Sequence, residues 1–320
     1  MAVARLPGGW HVEFERAASG EVVSVLTVFL ANRRCPWKCV FCDLWKHALE
    51  DGVAPGDIPA QLDVALSSGP VAGAGPIHAK LYNAGSFFDP RAIPVVDHPL
   101  IAAKVARFQR VIVECHPALI GDRVWRFQES LAEAARIQGS ERAPELEVAM
   151  GLETVNPGVL PRLGKRVTLD GFSRASELLA RHGVALRSFV LVQPPFEAPG
   201  EAVEWARRST EFAIGCGATA VTLIPVRPGT PELEALAEAG IFSPPTLLTL
   251  EQAFDASLGV AAGRCRVFAD LWNLGQFASC PECLAPRRAR LERMNHGQHT
   301  EPRVVGACAG GHGGDEPAGA

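Results

Sequence analysis

Between residues 22 and 226 the chain alternates short apolar stretches, rich in Val, Ile and Leu, with longer segments of helical period. Six stretches read as strands: VVSVLTVFLAN, AKLYNAG, RVIVECHP, LEVAMGLET, ALRSFVLVQ and ATAVTLIPV. Near-continuous apolarity over so few residues marks strands covered on both faces, as in a parallel sheet. Between them, DRVWRFQESLAEAARIQG, TLDGFSRASELLARHG and GEAVEWARRSTEFAIGCG each open on a cap or polar turn and close on glycine, as helices do. Strand, helix, strand in this order predicts right-handed βαβ units and an α/β fold around a parallel sheet, open or closed. Ahead of these units, GWHVEFERAASGEVVSV alternates like a hairpin folded at Ser19-Gly20.

No long linker interrupts residues 22–262, which form one core domain. Residues 1–21 read as a hairpin-like extension and residues 263–296 as a C-terminal extension. Residues 297–320, dominated by Gly, Ala and acidic side chains, read as a disordered tail. A hydrophobic content of 48% is enough to bury a sizeable core. The longest apolar run, Val22 to Ala31, is about half of the roughly 20 residues that a spanning helix requires, so no membrane segment is expected. The N-terminus has neither the basic start nor the apolar core of a secretion signal, which predicts a reducing cytoplasm and cysteines that serve as ligands or free thiols. A net charge of −4 gives no global attraction for a polyanion. The arginine run Arg287, Arg288, Arg290 and Arg293 is either a solvated helix face or a local contact for nucleic acid.

The sharpest chemical signal is RCPWKCVFC, directly after the first strand, which gathers Cys35, Cys39 and Cys42. A zinc site more often shows two separated cysteine pairs that complete a tetrahedron. Three thiolates with no local fourth leave one iron of a four-iron four-sulfur cluster open to a ligand that is not protein. This spacing, with Phe41 just before the last cysteine, resembles the signature of the radical S-adenosylmethionine (radical SAM) superfamily.

The resemblance implies a partial (β/α)6 TIM-like barrel, with its site at the C-terminal ends of the strands. It also implies a four-iron four-sulfur cluster on Cys35, Cys39 and Cys42, S-adenosylmethionine as cofactor, and a flavodoxin- or ferredoxin-like electron donor. Reductive cleavage of that cofactor would make a 5′-deoxyadenosyl radical, which abstracts hydrogen from a substrate. By the same resemblance Phe41 packs on adenine, while Asn83, Ala84, Gly85 and Ser86 stand where the family binds the cofactor's amino group. The family's double glycine and acid are absent there, so Ser86 or backbone carbonyls would substitute; an ordinary turn would also explain Gly85. Glu114 and Glu153, at strand ends, are candidates for catalysis and for holding cofactor or substrate, or else structural partners of an arginine such as Arg187. Arg187 could fork the cofactor carboxylate.

Within the superfamily, NRRCPWKCVFCDLWKH, LYNAGSFFDP, ECHP, GLET, LGKRVT and PVRPGT resemble the branch that contains the Elongator catalytic subunit and the radical SAM subunit of archaeosine synthase, which modify bases in tRNA. A tRNA substrate and a small metabolite or peptide both stay open, as does a non-catalytic iron-sulfur or zinc module. Cys280 and Cys283 form a CPxC pair, half of a second metal site that Cys265, Cys308 or His312 could complete, or a pair of free or redox-sensitive thiols.

Overall fold

The computed structural model describes residues 6–68 and 77–304. The six apolar stretches are consecutive parallel strands: β2 (Val22–Leu30), β3 (His78–Asn83), β4 (Arg110–Glu114), β5 (Glu145–Glu153), β6 (Ala185–Val192) and β7 (Ala220–Pro225). Two further strands extend the sheet at its edges. β1 (Gly9–Arg16) runs antiparallel to β2 through a turn at Ala17–Gly20, and β8 (Arg266–Ala269) runs parallel to β7. The order is strictly sequential, β1 to β8, so the curled sheet is a partial barrel with one seam, between β1 and β8. β8 lies beyond residue 262, so the barrel wall continues past the boundary expected for the core.

Helices α1 (Asp57–Ser68), α2 (His98–Val105), α3 (Asp122–Ile137), α4 (Leu169–Arg181), α5 (Ala202–Gly215) and α7 (Leu247–Ala261) supply the main core, with α6 (Pro231–Glu238) over a smaller apolar cluster near the strand ends. Thr168 caps α4 by accepting from Gly171 N at 3.0 Å, as the sequence suggests. Strand alternation sends Val111 and Val113 of β4 outward into this core and Arg110, Ile112 and Glu114 toward the lumen. Helix α8 (Pro281–Gly297) spans the seam. Arg16 Nη1 donates to His296 O at 2.9 Å, while the side-chain amides of Asn295 and Gln298 pair with the backbone of Ala269 and Val267. These amides imitate a neighbouring strand and satisfy the free edge of β8.

The arginine run of α8 divides: Arg288 and Arg293 are exposed, while Arg287 and Arg290 are buried. Arg287 pairs with Glu251 at 2.7 Å and Arg290, fully buried, pairs with Asp255 at 2.8 Å, which ties α8 to α7. Arg290 also donates to Glu301 O, so the first residues of the stretch read as a disordered tail are held in place; residues 305–320 lie outside the described residues. Among the described residues no helix is long and apolar enough to cross a membrane.

The lower lumen is filled with paired charge. Arg187 Nη2 meets Glu15 Oε1 at 2.5 Å and its Nε meets Glu147 Oε1 at 2.6 Å; Lys80 reaches Glu15 at 2.6 Å, and Arg110 reaches Glu147 at 2.5 Å. Burial alone would raise the pKa of Glu147, but the charges of Arg187, Arg266 and Arg110 hold it down at about 2. Each member has its counter-charge, the condition under which buried ions are tolerated.

Candidate functional site

The cysteine loop leaves β2 and folds back over the C-terminal ends of the strands, fixed from several sides. Cys42 N donates to Cys39 O at 3.2 Å, Val40 N donates to Leu163 O at 3.1 Å, and Thr230 Oγ1 donates to Val40 O at 3.1 Å. Trp37 stacks flat on His116, with centroids 3.9 Å apart at 6°. His116 is itself held: Nδ1 accepts from Ala118 N at 3.1 Å, which leaves the proton on Nε2 to donate to Lys165 O at 2.9 Å. Two glycines allow the close approach. Gly164, at φ +75°, packs so tightly that a Cβ there would stand 2.5 Å from Lys38 O. Gly85, at φ +136°, holds a backbone conformation that favours glycine and passes Cys35 at ordinary contact distance, where a Cβ would lie 3.4 Å from Cys35 Cβ and 3.6 Å from its Sγ.

All three thiols of the loop line one open cavity of about 1130 Å³ in the upper lumen. Burial raises all three above the ordinary thiol range, Cys39 to about 12 and Cys42 to about 11. Bare, they stay protonated; a bound metal would displace the protons and supply the counter-charge. Among the described residues no three Cys, His, Asp or Glu side chains converge on a single ion. Three thiols spread along one cavity wall instead fit a cluster, which places each thiolate on a different iron. Cys115 also reaches the wall, but it is buried in the core and donates its thiol to His116 O at 3.3 Å.

No family model matches the chain. It is similar to archaeosine synthase subunit beta of Methanosarcina acetivorans, 24% identical over 241 residues that cover 72% of this chain and 66% of that protein. It is also similar to archaeosine synthase subunit beta of Thermococcus kodakarensis, 27% identical over 139 residues, 42% of this chain and 40% of that one. The chain thus spans less than two thirds of the length of these curated relatives. Among solved structures, methylornithine synthase (PylB) superposes with a TM-score of 0.53 over 88% of this chain and 71% of that one, at 15% identity. The fold is the partial barrel of the radical SAM type.

In this barrel the candidate residues separate into those that face the cavity and those that do not. Phe41, Ala84, Gly85, Ser86, Glu114, Glu153 and, at its floor, Arg187 line it. Phe41 rests on the apolar cluster around Leu163 and Leu191. Glu114, the last residue of β4, pairs with no cation among the described residues, and burial raises its carboxyl to about 8. Glu153 sits in a bulge of β5 at φ +67° and is ion-paired with Lys165. The pair lies directly over Gly151, whose missing Cβ leaves the space: a Cβ there would be 1.9 Å from both charged atoms. Ser86 is buried, and its Oγ accepts from His116 N at 2.9 Å, which leaves its own proton to donate.

Three expectations are corrected. Asn83 does not reach the cavity: it is buried at 3% exposure, and neither polar atom of its side chain finds a hydrogen-bond partner. Its place at the end of β3 suggested the site, but strand alternation turns it away, as it turns Tyr82 inward. Arg187 is not available to fork a cofactor carboxylate, because its guanidinium is engaged by Glu15 and Glu147 in the network below. The second metal is not supported. Cys283 is buried in the first turn of α8, Cys265 donates its thiol to Arg266 O at 3.4 Å, and no third ligand joins the Cys280/Cys283 pair among the described residues. Cys308 and His312 lie outside the described residues.

Lys165 and Tyr82 were not singled out by the sequence. Lys165 follows Gly164 in LGKRVT, and only the fold brings it to Glu153. Tyr82 is the one tyrosine of the chain; its ring meets Phe189 edge-on, and its hydroxyl, exposed to the cavity, makes no hydrogen bond among the described residues.

Proposed function

We infer that the chain is a radical SAM enzyme whose Cys35, Cys39 and Cys42 hold a four-iron four-sulfur cluster and whose substrate is a base of tRNA. The observation that carries the reading is the convergence of the three thiols of one loop on a single cavity at the C-terminal ends of the barrel strands, with Gly85 beside Cys35. Held there, such a cluster would supply the electron for reductive cleavage of S-adenosylmethionine. The chain's own residues have other tasks. Trp37 on His116, and Gly164 under Lys38, fix the loop so that its thiolates are presented without a search. Phe41 offers an apolar face for the adenine ring, and Ser86, with the backbone of Ala84 and Gly85, offers polar groups for the cofactor's amino group. Glu114, kept neutral by burial, can donate a hydrogen bond to a ligand, and Glu153, fixed by Lys165, presents its second oxygen as an acceptor.

The tRNA reading draws on the archaeosine synthase relatives and on Arg33, Arg34, Lys38 and Lys46, exposed along the cysteine loop where phosphates would approach. A flavodoxin- or ferredoxin-like protein of the cytoplasm would supply the electron. The test is anaerobic reconstitution with iron and sulfide, followed by electron paramagnetic resonance of the reduced protein with and without S-adenosylmethionine, and by assay of 5′-deoxyadenosine. The expected result is a cluster signal that shifts with S-adenosylmethionine, together with 5′-deoxyadenosine that vanishes in Cys39→Ala. A cluster indifferent to the cofactor, or cleavage that survives Cys39→Ala, would overturn the reading.

A further inference from the structure

The cavity is larger than most pockets for one small ligand, which run to roughly 300–1000 Å³, so its ≈ 1130 Å³ leave room for a second molecule beside the cofactor. Where it meets the seam between β1 and β8, its wall is aromatic. His11 on β1 lies 5.8 Å from Phe29 on β2, and Phe29 in turn lies 6.4 Å from Trp272 at 66°. All three rings line the cavity, and Trp272 is 63% exposed. The backbone of Trp272 is nevertheless clamped: its N–H donates to Asp270 Oδ1 at 2.9 Å, and its carbonyl accepts from Arg227 Nη2 at 2.8 Å. Arg227 is held in turn by Asp270 at 2.8 Å. An indole fixed at its backbone and left uncovered has already lost much of its freedom without gaining burial, which is the condition for a preformed stacking platform.

We propose that the seam between β1 and β8 seats the flat heterocycle of the substrate, a nucleobase unstacked from its RNA strand, on the face of Trp272, with Phe29, at 66° to the indole, and His11 as its side wall. This rests on the tRNA reading above and locates its substrate. β1 and β8 are not paired with each other, and α8 spans the gap between them and lines the cavity with Arg288, Glu292, Asn295 and His296, so the rings stand on a wall that no strand pairing fills. Arg227, paired with Asp270, and Arg288, paired with Glu292 at 3.0 Å, border the same stretch of cavity and would exchange these surface pairs for the phosphates beside an extruded base. The cysteine loop and the aromatic wall then hold cofactor and base in one lumen.

The test uses the full chain with its cluster reconstituted and a fluorescein-labelled, unmodified tRNA transcript, with binding followed by anisotropy from low to high salt. Trp272→Ala is expected to weaken binding about 10- to 100-fold, the usual scale for losing one base-aromatic stack. Trp272→Phe should stay within about threefold of the parent, and Ile137→Ala, a loss of exposed apolar surface on α3, should leave binding unchanged. Because a stack releases no counterions, the slope of log Kd against log salt should be the same in Trp272→Ala as in the parent. Melting curves of the variants confirm that the fold is intact. Unchanged affinity in Trp272→Ala, or a loss that Trp272→Phe does not rescue, overturns the aromatic seat while leaving the tRNA reading standing. A parent protein that forms 5′-deoxyadenosine but does not bind the transcript overturns the seat and the tRNA substrate together, and leaves the radical SAM reading intact.

Discussion

The lower and upper halves of one barrel lumen use the same kinds of side chain in opposite ways. Below, Glu15, Lys80, Arg110, Glu147 and Arg187 sit in mutual contact, and Glu147 is held ionised by three arginines. Above, Glu114 has no cation, Tyr82 has no hydrogen-bond partner among the described residues, and three thiols face a cavity. The strands are the same and alternate the same way, so the difference lies in satisfaction. Paired charge packs the lower lumen and floors the cavity with Glu15, Lys80 and Arg187; on the upper wall, beside the Glu153–Lys165 pair, Glu114 and Tyr82 keep polar groups that a ligand can complete. Stability and function are therefore separable along the barrel axis, and substitutions in the two halves should show it.

The largest effect is expected at the centre of the lower network. Arg187→Met removes the cation shared by Glu15 and Glu147 and leaves buried charge without its main partner, which should cost about 3–5 kcal/mol. Urea unfolding would measure it, and a loss below about 1 kcal/mol would show the network to be replaceable packing. Gly164→Ala should cost less stability, about 1–2 kcal/mol, because it forces a left-handed backbone onto a residue with a Cβ and presses that Cβ on Lys38 O. Its signature would be functional: iron content after reconstitution should fall severalfold while the melting transition stays cooperative. Equal iron content in parent and variant would mean that the docking of the cysteine loop on Gly164 does not shape the thiol site. The smallest stability effect belongs to Glu114→Gln. A carboxyl kept neutral by burial is replaced by a neutral amide of similar size, so unfolding should shift by less than about 0.5 kcal/mol. Formation of 5′-deoxyadenosine should nevertheless drop about tenfold or more if the acid touches its ligands. A stability loss comparable to that of Arg187→Met would place Glu114 in the structural half.

The barrel was legible because its evidence is local. β2 through β7 follow from apolar runs whose length and composition fit only buried strands, and the helices between them carry their own caps. The edge strand β8 was left outside the core at residue 262 because Arg266–Ala269 is too short to reveal its pairing with β7; its other edge is completed by Asn295 and Gln298, far along the chain. In the site, Cys35, Cys39 and Cys42 announced themselves through spacing, since one loop must hold all three. Asn83 and Arg187 were misplaced for a shared reason: each stands on a strand that serves the site, but a strand end does not reveal which face its last residue takes or what already occupies an inward guanidinium.

What the sequence determined by itself is therefore what short-range chemistry encodes: the alternating βα order, the cysteine loop after the first parallel strand, and the glycines that let backbone pass close to backbone. The tertiary structure alone decided which charges meet. Lys165 comes to Glu153 over Gly151, Arg187 is claimed by Glu15 from 172 positions away, and Trp272 joins Phe29 and His11 across the seam. Ion pairs and ring contacts depend on distances of a few ångströms between residues that the chain separates widely, and only closure of the sheet fixes those distances.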